Sequence, residues 1–221
     1  MGHPVSMVIS LVGGLNGLKV LVSVRVSRKD PVNSSSSILG TISYHAFATL
    51  LDTILFFKLN FSIESTFEGA TVFNSDISSW NVGKGQTFKY MFKDAEAFNQ
   101  AIGGWDVSQW SSDYHGEKFI GMFNNAKAFN QPLSDWDTSN AESFEATFKG
   151  ATSFNQDISN WNVKDSTSFY GTFKDATSFN QPLDGWNVAS SKTFLSMFSG
   201  ATSFNQDLNS WDVSNSKSFG M

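Results

Sequence analysis

The apolar residues of this chain recur at one long spacing from residue 63 onward. Trp stands at positions 80, 105, 136, 161, 186 and 211, so the steps are 25, 31, 25, 25 and 25 residues. A Phe-Asn pair keeps the same rhythm, with its Phe at 73, 98, 129, 154, 179 and 204. A period of roughly 20–50 residues indicates a chain built from stacked repeats. We predict six repeats over residues 63–221, which begin at Ile63, Phe88, Phe119, Phe144, Phe169 and Phe194, and the start of a seventh at Phe219.

Each repeat also contains two shorter periods, which are clear in the fourth. Phe144, Phe148 and Ala151 lie at i, i+4 and i+7, the stripe of a short amphipathic helix. Further on, Trp161 and Val163 alternate with polar residues, which is typical of a short half-buried strand. The "FNQ" between them favours a turn. The pattern therefore predicts an α/β repeat solenoid, in which every coil has a short helix and a short strand.

The segment before the repeats has a different pattern. Residues 5–24 ("VSMVISLVGGLNGLKVLVSV") are mostly apolar, and "NSSSS" follows at 33–37. We expect residues 1–37 to be an apolar segment, signal-like or disordered, that ends in a Ser-rich linker. A step of 25 residues back from the first repeat places Leu55 and Phe57 on the Trp and Val sites. Residues 38–62 are therefore predicted to be a degenerate coil that caps the array.

Composition narrows the classes of function. The chain has 22 Phe and seven Trp, so aromatic rings are expected to form the core. Its net charge of −5 argues against a nucleic-acid surface, which needs clustered Lys and Arg. With no Cys, thiolate metal sites and Cys nucleophiles are excluded. The three His are scattered and no catalytic or phosphate-binding motif is present. We expect no enzyme activity, no catalytic residues, no metal and no cofactor.

One polar position follows every Trp and is a candidate ligand ladder. Stacked repeats would place its members about 4.8 Å apart, so their oxygens could bind a cation or a glycan. The favoured interpretation is an outward-facing side chain that caps a turn, because half of the positions are uncharged Asn. A structural ladder is also expected for the Asn that follows each Phe of the "FN" pair. The six residues that follow Trp are Asn81, Asp106, Asp137, Asn162, Asn187 and Asp212.

The one break in the period is the most individual feature. Between Val107 and Phe119 the connection is "SQWSSDYHGEK" (residues 108–118, the inserted connection), six residues longer than its counterparts. It carries Trp110, Tyr114 and His115, which the repeat does not require. Insertions in repeat arrays often lie on the binding face, and Trp and Tyr dominate interface energies. The favoured interpretation is a tolerated insertion whose aromatic side chains fold back on the array, and the alternative is a binding role. The candidate partner-binding residues are Trp110, Tyr114, His115, Asp106 and Asp137.

The repeat unit carries a family resemblance. "MFKDAEAFNQAIGGWDV" (91–107) and "MFSGATSFNQDLNSWDV" (197–213) resemble the repeats of BspA-like surface proteins, which are related to leucine-rich repeats, and the mycoplasma-type surface-protein repeat. The resemblance covers residues 63–221. This sequence departs from the family in two ways: it has no lipoprotein Cys, and Thr often replaces Met. The first departure leaves the mode of anchoring open.

The resemblance implies a leucine-rich-repeat-like array and a non-enzymatic role. We expect an extracellular or cell-surface protein, surface-bound or secreted, that mediates protein–protein interaction or adhesion. Its partner would be a protein or glycan on a cell or matrix surface, with no nucleic acid, and membrane association is left open. The alternative is binding of a repetitive surface, a glycan or ice, through the regular strand face.

Overall fold

A small sheet lies at the start of the chain. The computed structural model describes three strands, β1 (Ser6–Val12), β2 (Val20–Ser27) and β3 (Ser37–Ile42), and residues 63–83, 87–108, 117–218 and 220. The sheet is antiparallel with β2 in the centre. The β1–β2 register runs from Ser6↔Ser27 to Val12↔Leu21, and the β2–β3 register from Val20↔Ile42 to Arg25↔Ser37.

Most of the predicted capping coil at 38–62 lies outside the described residues, apart from the end of β3, and stays a prediction. The signal-like or disordered segment predicted for 1–37 contains β1 and β2 and also remains a sequence-based hypothesis. Among the described residues, no helix has the length and apolar character needed to cross a membrane.

The repeats stack on one another through columns of aromatic rings. Rings at equivalent positions of neighbouring repeats lie nearly parallel; Phe148 and Phe173, for example, have centroids 5.7 Å apart and an interplanar angle of 4°. Within a repeat, the Phe148 and Phe154 rings stack at 3.9 Å. Offset stacking of this kind adds to the free energy gained by burying the rings. The prediction of an aromatic core is confirmed, since the inward Phe and Trp of the first five repeats are buried.

The backbone of each repeat divides its hydrogen bonds between turns and the next repeat. In the fourth repeat, the N–H groups of Phe144, Ala146 and Phe148 donate to carbonyls of the fifth repeat at 2.9–3.0 Å. The N–H groups between them close turns within the repeat: Thr147 N donates to Phe144 O at 3.1 Å, and Lys149 N to Ala146 O at 3.2 Å. Stacking therefore satisfies backbone groups that one repeat alone would leave unpaired.

The prediction of an α/β repeat solenoid with a short helix in each coil is wrong. No residue of the described ranges 63–83, 87–108 and 117–218 lies in a helix. Ala146 and Gly150, both inside the predicted helix, have φ of 51° and 66°, and a left-handed residue ends an α-helix. All six repeats have positive φ at the same two positions. These residues are Ser65, Gly69, Tyr90, Asp94, Gly121, Asn125, Ala146, Gly150, Gly171, Asp175, Ser196 and Gly200.

The predicted strand at the Trp is also wrong. Trp161 and Val163 do point inward while their neighbours are exposed, but the N–H of Trp161 closes a turn onto Ile158 O at 3.1 Å. Within the described repeats, β pairing is confined to isolated parallel bridges ahead of the first Phe of a repeat. These bridges are Ser143↔Ser168, Ser168↔Thr193 and Thr193↔Ser218.

Ala146 provides a test of the turn geometry. Gly121 and Gly171 hold the same position in neighbouring repeats, with φ of 57° and 58°. Because left-handed backbone costs an L-residue about 1–2 kcal/mol, Ala146→Gly should raise the free energy of unfolding by roughly 0.5–1 kcal/mol after the unfolded-state entropy is subtracted. Urea denaturation measures the change. Ala151→Gly, at a buried site without positive φ, is the control and should be destabilising; destabilisation by both would contradict the assignment.

Candidate partner-binding surface

The predicted binding residues divide between two parts of the chain. Asp106 and Asp137 lie in the described residues, one repeat apart, and both are exposed. Trp110, Tyr114 and His115 fall in residues 109–116, which are outside the described residues. The described part of the site therefore has two components. One is the ladder of Asp and Asn residues that follow each Trp, called the Asx column below. The other is the base of the inserted connection, residues 108, 117 and 118.

The column that follows each Trp consists of turn caps. Asp106 Oδ1 accepts the N–H of Ser108 at 3.0 Å, and Asp137 Oδ1 accepts the N–H of Ser139 at 3.0 Å. Asn162 and Asn187 accept the N–H two residues on in the same way. Asn thus performs the same capping as Asp, as the favoured interpretation of the column expects.

The electrostatics of the column agree with a capping role. Hydrogen bonds from the side chain and backbone of Ser139 hold the pKa of Asp137 below its ordinary value, and Lys118 adds to the effect. Nowhere in the described ranges do three or more His, Cys, Asp or Glu group so that they could hold a metal ion.

A second column of amides joins the repeats. Asn130 Oδ1 accepts the backbone N–H of Asn155 at 2.9 Å and the Nε2 of Gln156 at 2.9 Å. The same pair of bonds recurs between Asn155 and the residues one repeat further on, Asn180 and Gln181. The Asn side chains therefore complete backbone hydrogen bonding between repeats, which is the structural role predicted for them.

From the second repeat onward, each core Trp is anchored in the same way. Trp161 Nε1 donates to the carbonyl of Leu133 in the preceding repeat at 3.0 Å, and Trp186 Nε1 donates to that of Ile158 at 3.1 Å. Exposed threonines also turn toward the preceding repeat: Thr177 Oγ1 donates to Thr152 O at 3.4 Å. These amide, Trp and Thr groups thus hold neighbouring repeats together.

Lys118 is the residue of this region that the sequence patterns missed. Its side chain is only 4% exposed, and its Nζ donates to the carbonyl of Val107 at 2.6 Å. Burial lowers the pKa of Lys118 to about 8, while attraction by Asp106 and Asp137 opposes that fall. The sequence itself shows this departure, because the equivalent position in neighbouring repeats is Thr87 or Ser143 and a Lys at 118 does not fit the repeat pattern.

Two further contacts hold the base of the inserted connection. At the N-terminal end of the connection, Asn140 Nδ2 of the next repeat donates to Ser108 O at 3.1 Å. Near its C-terminal end, the Glu117 carboxylate pairs with the Lys89 amine of the preceding repeat at 2.5 Å. The first and last residues of the inserted connection are therefore tied to the repeats on both sides of it.

The alternative surface, a regular strand face, lacks the strand on which it was based. The exposed polar residues beside the Trp column do recur in every repeat, but their backbone forms turns. Large apolar side chains exposed in the described ranges are few, with Tyr170 at 43% and Leu195 at 37% exposure on adjacent repeats.

Comparison with known families gives one match. The sequence model of a family described as a Mycoplasma protein of unknown function, DUF285, matches residues 60–115 and 117–221. No curated protein and no solved structure match the chain. The match bears out the mycoplasma-type part of the sequence resemblance and leaves the BspA-like label without confirmation.

Proposed function

This chain belongs to the Mycoplasma protein family of unknown function DUF285, and we propose that its repeat array is a non-enzymatic interaction module. In this proposal the array binds a protein or glycan partner on a cell or matrix surface, and the inserted connection carries the contact. In this proposal the protein is extracellular, either bound to the cell surface or secreted. Localisation has its support in the sequence resemblance, and fractionation of the native protein between cell surface and cytosol tests it.

The observation that carries the proposal is the contrast between the regular repeats and the inserted connection. Amide, Trp and Thr donors of the regular repeats bond to neighbouring repeats, and the Asx oxygens cap turns. Those groups are explained by folding alone. Trp110, Tyr114 and His115 have no counterpart in the other connections, so folding of the repeat does not call for them.

The base of the inserted connection also supports a binding role. Residues 108 and 117–118 are fixed by contacts to the repeats on either side. A loop with fixed ends loses less conformational freedom on binding than one with free ends, which favours affinity. Aromatic side chains on such a loop are the residue types that concentrate binding energy.

Shortening the inserted connection tests this proposal. Residues 108–118 are replaced by "KDSTS", the uninterrupted connection at 164–168. The variant should stay folded, because that connection already joins two repeats of the same kind, and it should lose binding. The measurement is binding to a panel of purified extracellular-matrix proteins and immobilised glycans, with the melting temperature as a check of folding.

The control is the double change Asp106→Asn and Asp137→Asn, since Asn fills the same position in other repeats. It should bind as the parent chain does. Full binding by the shortened chain, together with loss of binding in the double variant, would move the site to the Asx column.

A second candidate is binding of a repetitive surface, such as a glycan or ice, along the regular face. The equal geometry of the Asx caps in successive repeats favours it, because they present oxygens at regular intervals. This candidate predicts that binding strength falls as repeats are removed. It also predicts that shortening the inserted connection leaves binding strength unchanged.

A further inference from the structure

The carbonyl that precedes the inserted connection has an unusual partner. In the uninterrupted connections, the carbonyl of the Val that follows Trp accepts the N–H three residues on. Ser166 N donates to Val163 O at 2.9 Å, and Ser191 N to Val188 O at 2.9 Å. At the inserted connection, the carbonyl of Val107 accepts the Lys118 amine, which reaches it from eleven residues along the chain. Among the described residues, a side chain thus bonds to the carbonyl that other repeats pair with a backbone N–H.

The position of Lys118 is otherwise occupied by small hydroxyl residues with a local task. Thr87 Oγ1 accepts the N–H of Lys89 at 3.1 Å, and Ser143 Oγ accepts that of Glu145 at 3.2 Å. A buried ammonium in their place loses hydration and side-chain freedom. The folded chain recovers part of that free energy through a short charge-assisted hydrogen bond across the inserted connection.

We propose that Lys118 is a positioning residue that clasps the inserted connection, because its amine joins the last residue of that connection to the carbonyl just before its first. With Asn140 on Ser108 and Lys89 on Glu117, the clasp fixes both ends on the array. The consequence for partner binding rests on the proposed function, whereas the clasp itself does not. A clasped connection presents its residues from a fixed base and therefore binds with less ordering of the chain.

The burial of Lys118 in the clasp also makes the stability of the folded chain depend on pH. Among the described residues, the charged groups that act on this lysine are Asp106 and Asp137, which favour its ammonium form, while burial disfavours that form more strongly. The pKa of Lys118 is about 8 in the folded chain, against an ordinary 10.5. Between these values the unfolded chain holds a proton that the folded chain has released, so stability rises with pH through this window.

The test compares Lys118→Met with the parent chain by hydrogen exchange and by urea denaturation. Met keeps most of the apolar stem and removes the donor. Peptides that cover residues 106–119 should exchange about tenfold faster at neutral pH, as expected for a lost hydrogen bond to a charged group, while repeats five and six are unchanged. The gain in stability between about pH 8 and 10.5 should disappear in the variant. Lys149→Met, the same change at a half-buried lysine away from the connection, is the control.

Unchanged exchange over 106–119, or exchange that rises equally in repeats five and six, overturns the clasp. If Lys118→Met does not fold, Lys118→Thr replaces it, since Thr occupies this position at Thr87 and Thr193. Binding to the matrix and glycan panel is measured in parallel. If the parent chain binds nothing on the panel, the proposed function fails while the exchange result still decides the clasp.

Discussion

Replacing Trp161 with Ala should lower the free energy of unfolding by about 3–5 kcal/mol, as for other large aromatic residues removed from a core. The indole is 4% exposed and lies within 5.3 Å of the Phe144 ring centroid and 6.3 Å of that of Trp136. Its loss leaves a cavity between repeats and removes one of the two donors to Leu133 O, which keeps the N–H of Trp136 at 3.2 Å. Equilibrium denaturation measures the loss.

Trp211 is the matched control. It makes the same hydrogen bond, from Nε1 to Leu183 O at 2.8 Å, and the same stacking on the preceding Trp at 6.5 Å, but its ring is only partly buried. Trp211→Ala should therefore cost clearly less than Trp161→Ala. Trp110→Ala, which the sequence places outside the core ladders, should also cost less. An equal loss in all three would contradict both the dependence of the loss on burial and the assignment of Trp110 outside the core ladders.

The second large effect is expected at Gly150. Its φ is 66°, and an added Cβ would overlap Asn125 Oδ1 of the preceding repeat. Asn125 cannot move away freely, since its Nδ2 donates to Asp94 Oδ1 at 2.7 Å. Left-handed backbone costs Ala about 1–2 kcal/mol and overpacking about 1–3, so Gly150→Ala should lose about 1.5–4 kcal/mol of stability after the unfolded-state entropy is subtracted.

Gly69 separates the two causes. It has the same position in the first repeat and a φ of 74°, but an added Cβ would meet nothing within 4 Å. Gly69→Ala should lose only the backbone cost, roughly 0.5–1 kcal/mol after the unfolded-state entropy is subtracted. Equal losses at the two glycines would show that the Asn125 side chain yields without cost and that the contact between repeats is not tight at this point.

Sequence reasoning found the core and misjudged the backbone around it. The i, i+4, i+7 stripe of Phe144, Phe148 and Ala151 does mark inward residues, all of them buried. Overlapping turns with two left-handed residues bring the same positions inward, so the stripe alone does not distinguish them from a helix. The clue was the residue before each core Ala, which is Gly, Asp or Asn in all six repeats: Gly69, Asp94, Asn125, Gly150, Asp175 and Gly200. These are the residue types that tolerate left-handed backbone.

The other left-handed position carried a weaker clue, because Gly occupies it only in the third and fifth repeats. Tyr90 and Ala146 occupy it, and neither favours positive φ on its own. There, stacking against the next repeat overrides local preference, and only the assembled array shows it. The candidate site was likewise predictable from the sequence only in part. The position of the inserted connection follows from the 31-residue step, but the clasp by Lys118 depends on a contact between residues eleven apart, in repeats whose described residues form no helix or strand that would guide its prediction.

The interchangeability of neighbours in this array has a genetic consequence. Thr147 Oγ1 donates to Phe119 O, and Thr172 Oγ1 donates to Phe144 O, both at 3.0 Å. A recombination event that removed codons 144–168 would set Thr172 beside Phe119, with the same partner chemistry on both sides of the junction. Loss or gain of one 25-residue unit can thus shorten or lengthen the protein, and the joint it creates is one that the remaining units already use.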